Sequence, residues 1–236
     1  RNMVNIDTVY QKVLAIANKE QRGYITPQEF NLFANQAQME IFEQYFYDIN
    51  QFGRVPGNNT EYSDMLNIIE EKIGKFKKRT TLTHIGNQQF RLPEDYYRIG
   101  TLSYRDNEIE SVNSKDLLYL QSTQLLKPTA KRPVYIRYEN TAGTERIETF
   151  PKDLDGGTSV VANYVKKPNN VLWSGVEISD KVLYNATASV DFDLHPSEEN
   201  ALIIKILSLA GIAMKDFGLA QVVQQKEGLN IQQEKS

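Results

Sequence analysis

Asp191, Asp193 and His195 fall on alternate residues of an extended run, so a strand would put all three on one face. Two carboxylates and an imidazole on one face are the start of a metal site. Such a site also needs a third or fourth strong ligand and groups to orient the ligands, and the sequence signals neither. The three are therefore read as the polar outer face of an edge strand, with His195 at a strand–helix junction. Asp153-Leu154-Asp155-Gly156 resembles a piece of a calcium loop, but Thr158 and Tyr164 stand where that loop requires Gly and Glu. A tight turn at Asp155-Gly156-Gly157 explains these residues. Glu70-Glu71 and Glu198-Glu199 are neighbours on helices, point to different sides and read as solvated surface. No phosphate loop, nucleophile elbow or metalloprotease helix occurs. The expectation is a chain with no catalytic residues, no metal and no cofactor.

One dense basic cluster remains: Lys72, Lys75, Lys77, Lys78 and Arg79, with Phe76 inside it. Cations for phosphates and an aromatic ring for stacking would suit nucleic acid. The competing reading is a solvated helix-to-strand junction with Phe76 folded into the core. The short cluster and the negative overall charge favour the junction, and leave Lys75, Lys77, Lys78 and Arg79 as the candidate DNA contacts.

Composition narrows the classes further. The 236 residues are 40% hydrophobic and 24% charged, enough for a real core in one large or two small domains. A net charge of -3 supplies no global field to hold nucleic acid or an anionic membrane. The absence of cysteine excludes disulfides, thiolate metal sites and a cysteine nucleophile, and only His84 and His195 offer an imidazole. The most apolar run, Ala201 to Met214, is shorter than the roughly 20 residues a membrane span needs, and Lys205 interrupts it. No signal-peptide core is visible, so the expectation is a protein cytosolic at synthesis with no membrane partner. Nineteen Asn and 16 Gln give 35 amide side chains, a surface that hydrogen-bonds without charge.

These residues must be positioned by elements that the periodicity sorts into three regions: 1–73 helical, 74–193 rich in β-strand, and 194–236 a long helix with a tail. Ile6, Val9, Tyr10, Val13, Leu14 and Ala17 mark a first amphipathic helix. Thr26-Pro27-Gln28-Glu29 is a capping box with proline at the first helical position. It opens a helix to about residue 47, and Tyr62, Met65, Leu66, Ile69 and Ile73 mark a third. In the middle region Gly86-Asn87 and Asp106-Asn107 are predicted as two-residue hairpin loops. Ser114 is predicted to cap a short helix over 114–121. Strands are expected at Pro133–Glu139, Ser159–Lys166 and Ala188–Leu194. The last helix opens at Pro196 and continues through Met214, buried on most of its circumference. The expected fold is α+β: N-terminal helices and a long C-terminal helix packed together, with a central antiparallel β region, 74–193, as a projecting subdomain.

Three strings carry a resemblance. They are Gly23-Tyr24-Ile25-Thr26-Pro27-Gln28-Glu29-Phe30-Asn31-Leu32-Phe33-Ala34, then Phe90-Arg91-Leu92-Pro93-Glu94-Asp95-Tyr96-Tyr97-Arg98, then Asp191-Phe192-Asp193-Leu194-His195-Pro196-Ser197-Glu198-Glu199. In this order they resemble the head-to-tail ring adaptors of short-tailed bacteriophages, especially crAss-like phages. The resemblance implies a virion structural protein, assembled in the host bacterial cytoplasm, in a ring of about twelve copies. It implies portal protein and neighbouring tail-ring proteins as partners, with transient, non-specific contact with viral DNA. A mildly acidic protein suits a channel that must not grip the genome. The tail residues Leu219, Val222, Val223, Leu229 and Ile231 are expected to bind a partner, because an isolated terminus of this composition would fray. The alternatives are another tail or head-completion structural protein, and a polysaccharide hydrolase whose tyrosines line a sugar groove.

Overall fold

The computed structural model describes residues 3–19, 24–52, 60–105, 107–140, 143–152, 159–178 and 181–211. It is α+β and forms two compact units. The first comprises residues 1–72 and 168–236, and the second, residues 73–167, is inserted between them in chain order. The stretch 168–193, grouped with the β region by its strand-like composition, thus lies in the first unit.

In the first unit, helix α1 (Ile6–Lys19) buries Ile6, Val9, Tyr10, Val13 and Ala17 of the stripe expected from the sequence, and leaves Leu14 half-buried. Its start is capped twice. Asn5 Oδ1 accepts from Thr8 N at 3.0 Å, and Asp191 Oδ1 accepts from Ile6 N at 3.0 Å. Helix α2 (Pro27–Phe52) opens on the predicted capping box: Thr26 N donates to Glu29 Oε2 at 3.0 Å, and Glu29 N donates to Thr26 Oγ1 at 3.3 Å. The Thr26 N–H and the Thr26 hydroxyl, both donating to Glu29 Oε2, hold the Glu29 carboxyl below its usual range. Helix α3 (Thr60–Gly74) leads out of the unit.

The C-terminal helix is shorter than the hydrophobic run implies. A 3-10 turn at Pro196–Glu198 precedes α5 (Glu199–Leu209), and Gly211 at φ +71 ends it. Glycine just past the last turn takes the left-handed conformation other residues resist. Residues 212–236 lie outside the description. Helix α5 buries Leu202, Ile203, Ile206 and Leu207 and packs against α1 and α2. Lys205, the one cation in its apolar run, reaches Glu40 on α2 at 3.2 Å.

An extended stretch runs along α2. Asn31, Asn35 and Gln38 share one face of the helix, spaced three and four residues apart. Asn31 Nδ2 donates to Trp173 O at 3.0 Å and its Oδ1 accepts from Trp173 N at 2.7 Å. Asn35 repeats this with Val171, donating to its O and accepting from its N, both at 2.9 Å. Gln38 donates to Asn169 O at 2.8 Å and accepts from Asp193 N at 2.9 Å. A helical step of four residues advances about 6 Å and two residues of extended chain about 6.6 Å, so successive amides meet alternate residues. The predicted Ala188–Leu194 strand does not form. Only single bridges, Leu172 to Val190 and Val4 to Phe192, join it to its neighbours. Beside these bridges, Ala188 N donates to Asn185 Oδ1 at 3.4 Å and Asp193 N to Gln38 Oε1 at 2.9 Å. A small hairpin, named β9 (Gly175–Ile178) and β10 (Lys181–Tyr184) by chain order, completes the described part.

The second unit is a barrel. Its eight strands are β1 (Lys77–Thr81), β2 (Thr83–Gly86), β3 (Gln89–Arg91), β4 (Tyr96–Tyr104), β5 (Asn107–Ser111), β6 (Val134–Glu139), β7 (Glu145–Phe150) and β8 (Val160–Lys166). They hydrogen-bond in the order β1-β8-β4-β5-β6-β7-β3-β2. The two ends of that order are halves of one segment, 77–86, bent at the buried Leu82, so the sheet closes through it. All eight strands except β1 and β2 send side chains into one core with Leu82, including Phe90, Leu102, Ile109, Tyr135, Ile147 and Ala162. Pairing is antiparallel except between β5 and β6, where α4 (Ser114–Ser122) intervenes and packs Leu117 with Val134 and Phe150.

Three local expectations shift by one residue. The first hairpin loop is Asn87-Gln88, at φ 51 and 60, with Gly86 paired to Gln89 inside the ladder. Tertiary pairing decides this, since Gln88 O accepts from Thr149 N at 3.0 Å. At the second hairpin Asn107 pairs with Tyr104, so it belongs to the ladder and not to the loop. Helix α4 has Asn113, not Ser114, at its cap position, and Asn113 caps without a side-chain bond. The predicted turn at Asp155-Gly156-Gly157 lies outside the described residues.

Replacing Asn35 by Ala leaves the Val171 N–H and C=O without partners. We expect a loss of about 2–3 kcal/mol in urea unfolding. Gln36→Ala on the exposed face should cost less than about 0.5 kcal/mol. Equal effects would refute the structural role of the amide face.

Candidate functional site

The first candidate, Asp191-Asp193-His195, is consumed by structure. Asp191 caps α1, and its Oδ1 also accepts from Asn5 Nδ2 at 3.2 Å. Asp193 Oδ2 accepts from Asn169 N at 2.8 Å. His195 Nδ1 accepts from Ser197 N at 3.3 Å, capping the 3-10 turn. Each side chain holds backbone rather than facing a common point. Among the described residues no group of three potential ligands is placed to hold a metal ion. Nor is any described helix long and apolar enough to cross a membrane.

The basic cluster is divided by the fold. Lys72 belongs to the first unit, where it pairs with Glu198 at 2.6 Å and stands 5.8 Å from the Tyr45 ring centroid. Burial and the Glu198 carboxylate push the Tyr45 phenol well above its usual range. Phe76 is buried, which settles its side chain as core rather than stacking surface. Lys75 is exposed just before it. Lys77, Lys78 and Arg79 lie on β1, where alternation sends Lys78 to one face and the other two to the opposite face.

Lys78 ends in a polar knot with Asp95. Asp95 Oδ2 accepts from Lys78 Nζ at 3.1 Å, and Oδ1 accepts from Tyr164 OH at 2.9 Å. Burial would raise the Asp95 pKa, but the bonds from Tyr164 and Lys78 and the lysine charge outweigh it and hold the carboxyl low. Burial, then the bond to Asp95 and its charge, push Tyr164 up to about 12. Asp95 sits inside the second family-like string, and its own backbone O accepts from Lys167 N at 2.7 Å. The sequence offered no sign of this role beyond that string.

A cleft of about 450 Å³ opens between β5 and α4. Glu110, Asp116 and Tyr119 give it polar groups, while Val112, Leu120 and Leu126 give it an apolar wall. Asp116 accepts from Asn113 Nδ2 at 3.4 Å. Around it, α4 and the turn after it expose Leu118 (68%), Tyr119 (63%) and Leu125 (89%). Three bare apolar side chains within residues 118–125 are a concentration rather than isolated exposed residues. In the first unit the β9–β10 hairpin exposes Val176, Val182 and Leu183. Periodicity missed both patches, because it credits each apolar residue to a core. The tail residues Leu219, Val222, Val223, Leu229 and Ile231 lie outside the described residues. No protein-family model matches this chain, and no curated protein matches it.

Tyr164 and Asp95 titrate in opposite directions from their ordinary values. Asp95, held low, contributes stability above pH ~4 that is lost as pH falls through its folded value. Tyr164, held high, contributes stability below pH ~10 that is lost as pH rises towards about 12. Asp95→Asn should therefore flatten the acid loss and bring one tyrosine ionisation to lower pH in a 295-nm titration. An unchanged tyrosine titration would refute the coupling.

Proposed function

We propose that this chain is a virion structural protein, a ring-forming subunit of the connector between portal and tail of a short-tailed phage. The ring leaves a channel for DNA, and the chain acts without catalysis. The observation that carries the reading is the pair of bare apolar patches, one on α4 of the barrel unit and one on the β9–β10 hairpin of the other unit. A cyclic ring joins one patch of each subunit to a different patch of its neighbour, so it needs two on one chain. The family-like strings support it in another way. They supply the α2 capping box, the Asp95 knot, and the caps at Asp191 and His195, which hold the framework rather than carry out chemistry.

On this reading the ring has about twelve copies, and each contact buries more than roughly 1,000 Å². Portal protein and neighbouring tail-ring proteins cover the remaining surfaces. The tail residues Leu219, Val222, Val223, Leu229 and Ile231 bind one of these partners. Of the channel contacts first suggested by the sequence, Lys75, Lys77, Lys78 and Arg79, Lys78 is spent on Asp95 and the other three remain candidates.

Cryo-electron microscopy of the intact virion tests the reading, with a closed ring at the portal vertex expected. A copy in the capsid shell or the host-binding fibres, or turnover of a glycan by the purified chain, would reject it. Leu118→Glu with Leu125→Glu should abolish incorporation into virions, while thermal unfolding of the purified chain moves by no more than a few degrees. Normal incorporation would exclude the α4 patch as a contact.

A further inference from the structure

The barrel presents a cationic face that the linear basic cluster conceals. Residues opposite one another in an antiparallel pair share a face. Lys77 lies opposite Val165, and Val165 lies opposite Arg98, so these three form a row across β1, β8 and β4. Arg79 lies opposite Asn163, whose Nδ2 donates to Thr101 Oγ1 on β4 at 2.9 Å. Ala162 and Tyr164, of the other parity on β8, point into the barrel, so both rows point outward. Lys78 has the inward parity and is held by Asp95.

Two bulges in β4 make this alignment. One extra residue lies between the pairs of Tyr96 and Arg98, and another between those of Ile99 and Leu102. Gly100 sits in the second bulge, where a Cβ would meet Asn163 O at 2.9 Å. The bulges let Ile99 and Leu102 both face the core while Arg98 and Thr101 face out.

Strand spacing puts the Lys77 and Arg98 backbones about 10 Å apart, with Arg79 about 7 Å along from Lys77. All three cations are exposed, and none has an ion-pair partner among the described residues. Glu94 and Asp95 stand four and three residues before Arg98, and Asp95 is spent on Lys78 and Tyr164 of the inward parity; the carboxylates nearest by strand pairing are on β5. Glu108 lies opposite Ser103, five residues along β4 from Arg98, or about 15 Å. That exceeds the screening length of about 8 Å at physiological salt.

We propose that Lys77, Arg79 and Arg98, with Asn163 and Thr101 between them, contact the phosphates of double-stranded DNA without reading its sequence. The inference rests on the channel reading and deepens it: it adds Arg98 and leaves out both Lys78 and Lys75, which precedes β1. The two rows contain no aromatic ring for base stacking and only the half-buried Val165 as an apolar group. A single strand would use stacking, and a protein partner would use an apolar centre, whereas uncharged donors among cations suit a phosphate backbone. Three cations bind weakly, as a moving genome requires, with a log–log salt slope no steeper than about -2.7.

Fluorescence anisotropy with a short labelled duplex of mixed sequence at low salt tests this on the full chain. Lys77→Glu, Arg79→Glu and Arg98→Glu together should weaken binding at least about tenfold. Arg98→Lys and Lys78→Gln should each stay within about twofold of the parent, and circular dichroism confirms that every variant is folded. Duplex binding unaffected by the triple change would overturn the proposal. So would a loss with Lys78→Gln equal to that of the triple variant, or binding only to polyglutamate, which would mark an acidic protein partner. Because the assay needs no ring, a connector subunit blind to DNA refutes this inference alone. A DNA-binding chain found elsewhere in the virion refutes the connector reading alone.

Discussion

A backbone segment laid against a helix has no ladder partner of its own, because the helix spends its backbone groups internally. The first unit solves this with side-chain amides. Asn31 and Asn35 each offer one donor and one acceptor to a single residue, doing for Trp173 and Val171 what a neighbouring strand would do. Gln38 bridges two segments, Asn169 and Asp193, and fixes where the chain returns before α5. The hydrophobic core of the unit depends on this alignment. It places Trp173 with its ring 4.7 Å from Tyr10 and its Nε1 donating to Asp7 at 2.9 Å. Burying the same segment without those amides would leave several peptide groups unpaired, each a cost of about 1–3 kcal/mol.

The barrel faces the opposite problem, since an open sheet leaves edges that invite aggregation. One bent segment closes it, pairing with β8 before Leu82 and with β3 after it. Leu82 turns its side chain into the core at the bend while its N–H donates to Val160 O at 2.8 Å. Neither half of the segment would be long enough to hold both neighbours.

How far the sequence could be read follows from these two devices. Local signals with local partners were legible: the Thr26–Glu29 box, the α1 stripe and the strands at β6 and β8 all stand where the pattern puts them. Signals that depend on a distant partner were not. The inward residues of β4 are Tyr96, Ile99, Leu102 and Tyr104, and two bulges turn a period of two into steps of three, three and two. The Gly86 loop moved by one residue because Thr149 claims the Gln88 carbonyl. The abundance of Asn and Gln was visible, but their use within the fold was hidden until α2 and residues 169–173 were seen side by side. For the site, sequence found the β1 cations but not Arg98, since strand register and not proximity in the chain makes them neighbours.

The barrel begins and finishes on paired strands. Phe76 O accepts from Lys166 N at 2.8 Å, and Lys77 stands opposite Val165. A module whose two ends are adjacent asks almost nothing of its host in loop-closure entropy, because the host sees only a short connection between residues 72 and 168. In evolutionary terms the barrel is a cassette: it can be lost, replaced or enlarged at this junction while the amide-bonded helices keep their register. Variation among homologues should therefore be discontinuous at these two points, with whole modules exchanged where elsewhere single residues drift.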